Sequence, residues 1–270
     1  MIDAGYEPHI FFPVVPDRFA ATARREMPWT TDKLLEILRG ACGAVMIGYP
    51  RWCHGDHPHA SEFTHYEGGV AYTMGIPVLN VLEQGILWRG GFDPTSAQIC
   101  EVPRGAEESW LKNSYFDQFF SKWRTDLQAR YDIFLGYSGK SAGTAKNLMR
   151  VLKEKDVRVL DWQEFQPGTI LEQIKKAAAL CTGGVFLFTA DDDLVEGAPG
   201  MAAPRDNVVF EAGYFIHAKG HQRVLIIRES GEKRSAKMPA DLGGAIFAPL
   251  PDLSNIEALD QQIDRFVENL

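Results

Sequence analysis

Two glutamates fall where the sequence makes a carboxylate costly. At about 100° per residue, Val208, Ala212, Phe215 and Ile216 share one face of a helix expected over Asn207–Lys219. Glu211 falls about 60° from Val208, on the flank of that face. In the first half Phe63, Val70, Ala71 and Met74 define the apolar face of a helix expected over Ser61–Met74, and Glu67 falls inside that arc. Burying a carboxylate is unfavourable unless it is paired or kept neutral, so each position is a candidate site. A carboxylate held at the edge of a core can stabilise a developing positive charge. The plain alternative is a satisfied glutamate paired to an arginine or capping a loop.

A second constellation is built for a phosphate. Gly136, Gly139 and Gly143 let backbone amides approach an anion, Ser138, Ser141 and Thr144 supply hydroxyls, and Lys140 brings charge to a helix N-terminus. Gly139-Lys140-Ser141 resembles the end of a P-loop, but Phe134 stands where that motif needs its first glycine, which rejects an ordinary ATPase. Cys53, His54, His57, His59 and His65 match no tetrahedral ligand pattern and read as solvated side chains of a polar loop. Asp191, Asp192 and Asp193 read as a solvated acidic loop rather than a cation site, so no metal is expected. Trp110, Phe116, Phe119, Phe120 and Trp123 lie at helical spacing and read as packing, since stacking on nucleic acid calls for an excess of basic neighbours.

The elements that must position these groups alternate between strand and helix. Strands are expected at Tyr131–Tyr137, Val157–Trp162, Gly184–Ala190, Arg223–Arg228 and Ala245–Leu250. Between them come helices from the Ser138–Gly143 turn to about Lys155, from Thr169 to Leu180 and from Asn207, read as the cap, to Lys219, with a last helix over Asn255–Leu270. This is a flavodoxin-like, doubly wound α/β lobe whose ligand loops are Tyr137–Thr144, Gln163–Thr169 and Asp191–Asn207. The first half repeats the order more weakly, with strands near His9–Val15, Gly43–Tyr49 and Pro77–Leu82, a helix over Thr31–Arg39, and a polar loop Arg51–His59 before the Ser61 helix. Setting Glu67 on Glu211 aligns Glu67-Gly-Gly-Val-Ala with Glu211-Ala-Gly-Tyr-Phe, with Gly75 and Gly220 closing the helices. The expected organisation is therefore two doubly wound lobes, 1–130 and 131–270.

Composition excludes several classes. The 28 basic and 36 acidic residues divide after Arg130 as 12 against 16 and 16 against 20, so neither lobe offers the basic surface a long nucleic acid requires. No apolar run approaches the ~18 residues of a membrane span, and Met1–Phe19 lacks the pattern of a signal peptide, so a cytoplasmic protein is expected. Cys42, Cys53, Cys100 and Cys181 form no CxxC and read as buried free thiols.

The run Pro204-Arg-Asp-Asn-Val-Val-Phe-Glu-Ala-Gly-Tyr-Phe-Ile216, then Arg223-Val-Leu-Ile-Ile and Met238-Pro-Ala-Asp-Leu-Gly-Gly244, resembles the bacterial TIR-like nucleotide-binding domains, relatives of the TIR NAD⁺ hydrolases of antiphage defence. The resemblance covers about Tyr131 to Leu250. It implies a metal-free NAD⁺ glycohydrolase with NAD⁺ as substrate and no cofactor. Glu211 would be the catalytic residue, and Tyr137, Ser138, Gly139, Lys140, Asp191, Asp192, Arg205 and Asn207 would help form the substrate pocket. It further implies an effector that self-associates and is switched on by a signal such as a cyclic nucleotide. Cleavage of the nicotinamide–ribose bond passes through an oxocarbenium-like state, for which one carboxylate is the minimum equipment. One departure is that Gln166-Pro-Gly-Thr169 stands where the family carries a Gly-Gly-Arg-Thr-like run. Ala60–Ala71 with Gly75-Ile-Pro-Val is similar to the nucleoside deoxyribosyltransferase and TIR-like superfamily, which implies a regulatory or dimerising lobe, or a second nucleotide pocket around Glu67. Two alternatives stay open: a non-catalytic nucleotide-binding sensor or scaffold, and deoxyribosyl transfer by the first lobe.

Overall fold

The computed structural model describes residues 6, 30–94, 98–164, 169–194, 200–239, 242 and 244–270. The strand expected near His9–Val15 lies outside them, as do 165–168 and 195–199 of the expected ligand loops. Contacts divide the chain into two compact units, Met1–Leu38 and Arg39–Leu270. Thr30 begins helix α1 (Thr31–Gly40), its hydroxyl accepting from the Lys33 amide at 3.1 Å.

The second unit holds two parallel sheets. The smaller is ordered β1 (Ala44–Gly48), β4 (Val78–Glu83), β5 (Ile99–Val102). Between β1 and β4 run a hairpin of β2 (Trp52–His54) and β3 (His57–His59), then helix α2 (Glu62–Thr73). The segment expected as a plain polar loop is thus largely this hairpin. Ser61 caps α2 by accepting from the Phe63 amide. The buried face of α2 agrees with the expected one at Ala71 and departs from it at Phe63. Gly68 and Ala71 face the sheet, while Phe63 stays 51% exposed. The reason is Met46 of β1: a Cβ on Gly68 would lie 1.7 Å from its sulfur, so the thioether occupies the space a larger residue would need. Helix α3 (Ser114–Gln128) carries the aromatic stripe, of which Trp123 is buried and donates through Nε1 to Pro77 O at 3.0 Å.

The larger sheet has five strands, all parallel: β6 (Tyr131–Gly136), β7 (Val159–Asp161), β8 (Cys181–Phe188), β11 (Val224–Glu229) and β13 (Ile246–Leu250). Their order in the sheet is β13-β11-β8-β6-β7. This is the flavodoxin order, with the switch of winding direction between β6 and β8. Residues 133–136, 183–188 and 224–227 are buried throughout, as central parallel strands covered on both sides require. On one face Leu148, Val151 and Leu152 of α4 (Ala142–Glu154) and Ile263 and Phe266 of α7 (Asp260–Val267) pack with Leu135, Leu187 and Ile227. On the other, Ala177 of α5 (Ile170–Leu180) and Ala212 and Phe215 of α6 (Asp206–Lys219) pack with Phe134 and Phe186. Alternate residues of each strand feed the two cores.

Gly75 (φ +69°) and Gly220 (φ +88°) both take the left-handed region after α2 and α6, the conformation that turns each helix back into its next strand. Arg130 links the two layers, its Nη1 donating to Gly75 O at 2.9 Å and Ala179 O at 2.7 Å. Cys100 and Cys181 are buried, but Cys42 and Cys53 are exposed, against the expectation of four buried thiols, and all four are free. The chemistry-bearing loops leave the carboxyl edge of the five-stranded sheet.

Candidate functional site

Strand β6 ends at Gly136, and Glu211 sits against that glycine. A Cβ at 136 would lie 2.9 Å from Glu211 Oε2 and 2.5 Å from the Phe186 ring, so only a bare backbone leaves room for the carboxylate. Phe215, one turn further along α6, stacks on Phe134 at 5.1 Å and meets Phe186 edge-on at 5.5 Å. The carboxylate therefore sits at the edge of an aromatic layer. Burial alone pushes its pKa up to about 7. A carboxylate brought near neutrality by burial, at the ligand edge of the sheet, is a candidate functional group.

The other residues singled out from the sequence divide into those facing the site and those engaged in building it. Tyr137 is buried, and its hydroxyl donates to Asp161 at 2.9 Å, so its ring and hydroxyl fasten β6 to β7. Burial and that carboxylate raise its pKa. The Ser138 and Ser141 hydroxyls lie 3.3 Å apart, and Ser141 Oγ also donates to Ser138 O, closing the turn on itself. Thr144 donates to Leu253 O. Gly139 is exposed, with open space where a side chain would stand.

Lys140 reaches across to the next loop and donates to Asp191 O, joining the loop after β6 to the loop after β8. Asp191 is buried and accepts from Thr189 Oγ1 at 3.0 Å. Asp192 and Asp193 form the short strand β9, paired with β10 (Met201–Ala203), which in turn pairs with β12 (Ser235–Ala236). Arg205 pairs with Asp192 at 3.4 Å and holds the N-cap position of α6. Asn207, expected as the cap, lies instead inside the first turn, exposed and one turn before Glu211 on the same side of the helix. The loops after β6 and β8 are thus tied together beside Glu211. Glu67 is half-buried on α2, at the smaller sheet.

Three residues that sequence reasoning missed brace these loops. Glu229, at the carboxyl end of β11, accepts from the Ala190 amide at 2.7 Å. Arg234 donates to Ala190 O at 2.8 Å and pairs with Asp193. Trp162, edge-on to Tyr137 at 5.8 Å, keeps its indole N–H buried and without a partner. The position of Glu229 at a strand's carboxyl end was the available signal. The roles of Arg234 and Trp162 depend on loop geometry that no spacing encodes. Among the described residues, no group of three or more His, Cys, Asp or Glu could hold a metal ion.

Fold and site together define a doubly wound α/β domain with a half-buried helix carboxylate at the carboxyl edge of its sheet. Residues 132–252 match the family model described as CAP12/Pycsar effector protein, TIR domain, and this C-terminal segment is a bacterial TIR-like domain. The chain is 33% identical over 105 residues to CD-NTase-associated protein 12 of Flavobacterium daejeonense, covering 38% of this chain and 32% of that protein. Identity to CD-NTase-associated protein 12 of Lachnospiraceae bacterium (strain RUG226) is 32% over 140 residues, 51% of this chain and 43% of the relative. Pycsar effector protein BcPycTIR of Burkholderia cepacia is 28% identical over 120 residues, 43% and 39% of the two chains. The chain spans less than half the length of these relatives. Among the described residues no helix is long and apolar enough to cross a membrane.

Proposed function

We propose that the chain is an NAD⁺ hydrolase acting as an effector of bacterial antiphage defence, with catalysis in residues 131–270 and signal sensing or assembly in residues 1–130. The observation that carries the reading is Glu211. It is a carboxylate set against Gly136 at the ligand edge of a TIR-like sheet, with burial bringing its pKa to about 7. In its ionised form it would hold ribose hydroxyls and stabilise the positive charge that grows at the anomeric carbon as the C–N bond breaks. The bonding pair leaves with the pyridinium nitrogen, so nicotinamide departs neutral. Water then adds to the ribosyl cation and gives up a proton, yielding ADP-ribose, or the adenine nitrogen adds instead and closes a cyclic product. Asn207 and Arg205, at the start of the same helix, and Lys140, across the loops, would meet the rest of the dinucleotide.

The names of the relatives support the defence role, and effectors of this kind, assembled by a nucleotide signal in the cytoplasm, are the context proposed for this chain. The test is NAD⁺ consumption by the purified full chain over a range of concentrations, alone and with cyclic mono-, di- and trinucleotides, beside Glu211→Ala. Turnover in the wild type that vanishes in the variant supports the proposal, and a fully active Glu211→Ala protein overturns it. Calorimetric binding of NAD⁺ with no product under any condition favours the non-catalytic sensor. Base exchange that depends on Glu67 and survives loss of Glu211 favours deoxyribosyl transfer.

A further inference from the structure

A cleft of about 540 Å³ opens beside the amino end of β4, at the opposite end of the smaller sheet from its carboxyl edge. Strand β5 begins opposite Asn80, so Val78 and Leu79, the first residues of β4, reach past it, and both line the cleft. Its walls come from α2 through Tyr72 and from α3 through Phe119 and Trp123. Tyr72 is exposed, whereas Trp123 is buried and fixed by its bond to Pro77 O. The volume lies in the range of small-molecule sites, which are largely apolar with a few polar groups that set orientation.

The polar group inside the sheet that lines this cleft is a carboxamide. Asn80, on the central strand of three, is only 3% exposed. Its Nδ2 makes one long hydrogen bond, to Gln98 O at 3.5 Å, and among the described residues its Oδ1 has no partner. Buried polar atoms are almost always hydrogen-bonded, so a half-satisfied carboxamide in the middle of an apolar strand is anomalous. One long bond does not fix it, because χ2 of asparagine is a broad torsion, and a ligand in the cleft can turn the amide and complete both of its halves. Such a ligand must present a donor for Oδ1 beside an acceptor for Nδ2, the pairing that asparagine makes with the edge of adenine. The aromatic walls call for a planar ring, which gains by stacking on them. Lys122 and Asp126, the charged residues of the lining, pair with each other at 3.2 Å, which suits a neutral ligand.

We infer that this cleft is a second small-molecule site, for a neutral aromatic ring that carries a donor beside an acceptor, as an adenine base or nicotinamide does. The site belongs to the smaller sheet, and the inference does not rest on NAD⁺ turnover. The test is a titration of the full chain with adenosine and, separately, with nicotinamide, followed through the indole N–H resonances of its six tryptophans. Trp123→Phe and Trp162→Phe assign the two that matter. Trp123 lines the cleft, and Trp162, beside Tyr137, reports on the loops near Glu211. At least one of the two compounds is expected to shift the Trp123 resonance saturably, with Trp162 fixed or moving with a different midpoint. Analogues dimethylated on the exocyclic nitrogen, which keep the ring and lose the donor, should bind roughly tenfold more weakly or worse. Asn80→Leu, with its fold confirmed by thermal unfolding, should abolish the Trp123 shift. A shift with adenosine alone identifies a purine base as the ligand class, and one with nicotinamide alone identifies a pyridine carboxamide. The inference is overturned if neither compound shifts Trp123 saturably, if Trp123 and Trp162 move together with one midpoint, if the dimethylated analogues bind as tightly as their parents, or if folded Asn80→Leu still binds.

Discussion

Helices α2 and α6 share an outline, and the difference between them separates architecture from chemistry. Each carries a glutamate followed by small residues, closes on a left-handed glycine and leads into a parallel strand. In α6 the residue after Glu211 is Ala212, buried against an aromatic layer, and the carboxylate lies against bare backbone at Gly136. In α2 the matching residue is Gly68, whose place against the sheet is filled by Met46. The first arrangement desolvates an acid. The second brings a helix close to its sheet through a glycine. A similar frame thus desolvates a carboxylate at α6 in one sheet and serves close helix packing at α2 in the other.

The largest effect expected from breaking this contrast is on turnover. Glu211→Gln should lower NAD⁺ consumption by roughly 10²-fold or more, as loss of a charge-stabilising group does, while Glu67→Gln stays within a few-fold of wild type. Product analysis under identical conditions checks both. Next comes the joint between the layers. Arg130→Ala removes two charge-assisted hydrogen bonds from a buried site, to Gly75 O and Ala179 O, and should cost about 3 kcal/mol in denaturant unfolding.

A comparable shift follows from the raised pKa of Glu211. Between its ordinary value of 4.5 and about 7 the folded state keeps a proton that the unfolded chain releases, so this group's contribution to stability falls as pH rises. Glu211→Gln has no such dependence. It should match wild type near pH 4 and exceed it by up to about 3 kcal/mol at pH 8, measured as unfolding free energy against pH. The smallest effect sharpens the comparison of small residues. Gly213 faces open space within α6, so Gly213→Ala should stabilise by about 0.5–1 kcal/mol, whereas Gly68→Ala meets Met46 and should destabilise. Thermal unfolding distinguishes the signs.

Much of the larger sheet was legible because its strands are continuous apolar runs separated by punctuated helices. Thr169 caps α5 through a full capping box with Glu172, and Glu211 falls where helical periodicity places it. What escaped was how polar side chains are engaged. Tyr137, Ser138 and Thr144 read as ligand groups because of their place after a strand, but their hydroxyls bond to Asp161, Ser141 and Leu253, partners 3 to 109 residues away. Lys219 lies on the buried face of α6, in register with Val208, Ala212 and Phe215, and burial lowers its pKa to about 8. A lysine at a helix end reads as exposed until the neighbouring layer is known. The same holds for His59, whose burial depends on Trp52 across a hairpin that local composition presents as a polar loop.

The measurement that tests the central claim most directly is NAD⁺ cleavage by wild type, Glu211→Gln and Glu67→Gln side by side, with folding of each confirmed and with the concentration and nucleotide conditions that give wild-type turnover. The account predicts that cleavage is lost with Glu211 and retained without Glu67. Cleavage that survives in Glu211→Gln and disappears in Glu67→Gln would contradict it, and would move the chemistry to the smaller sheet.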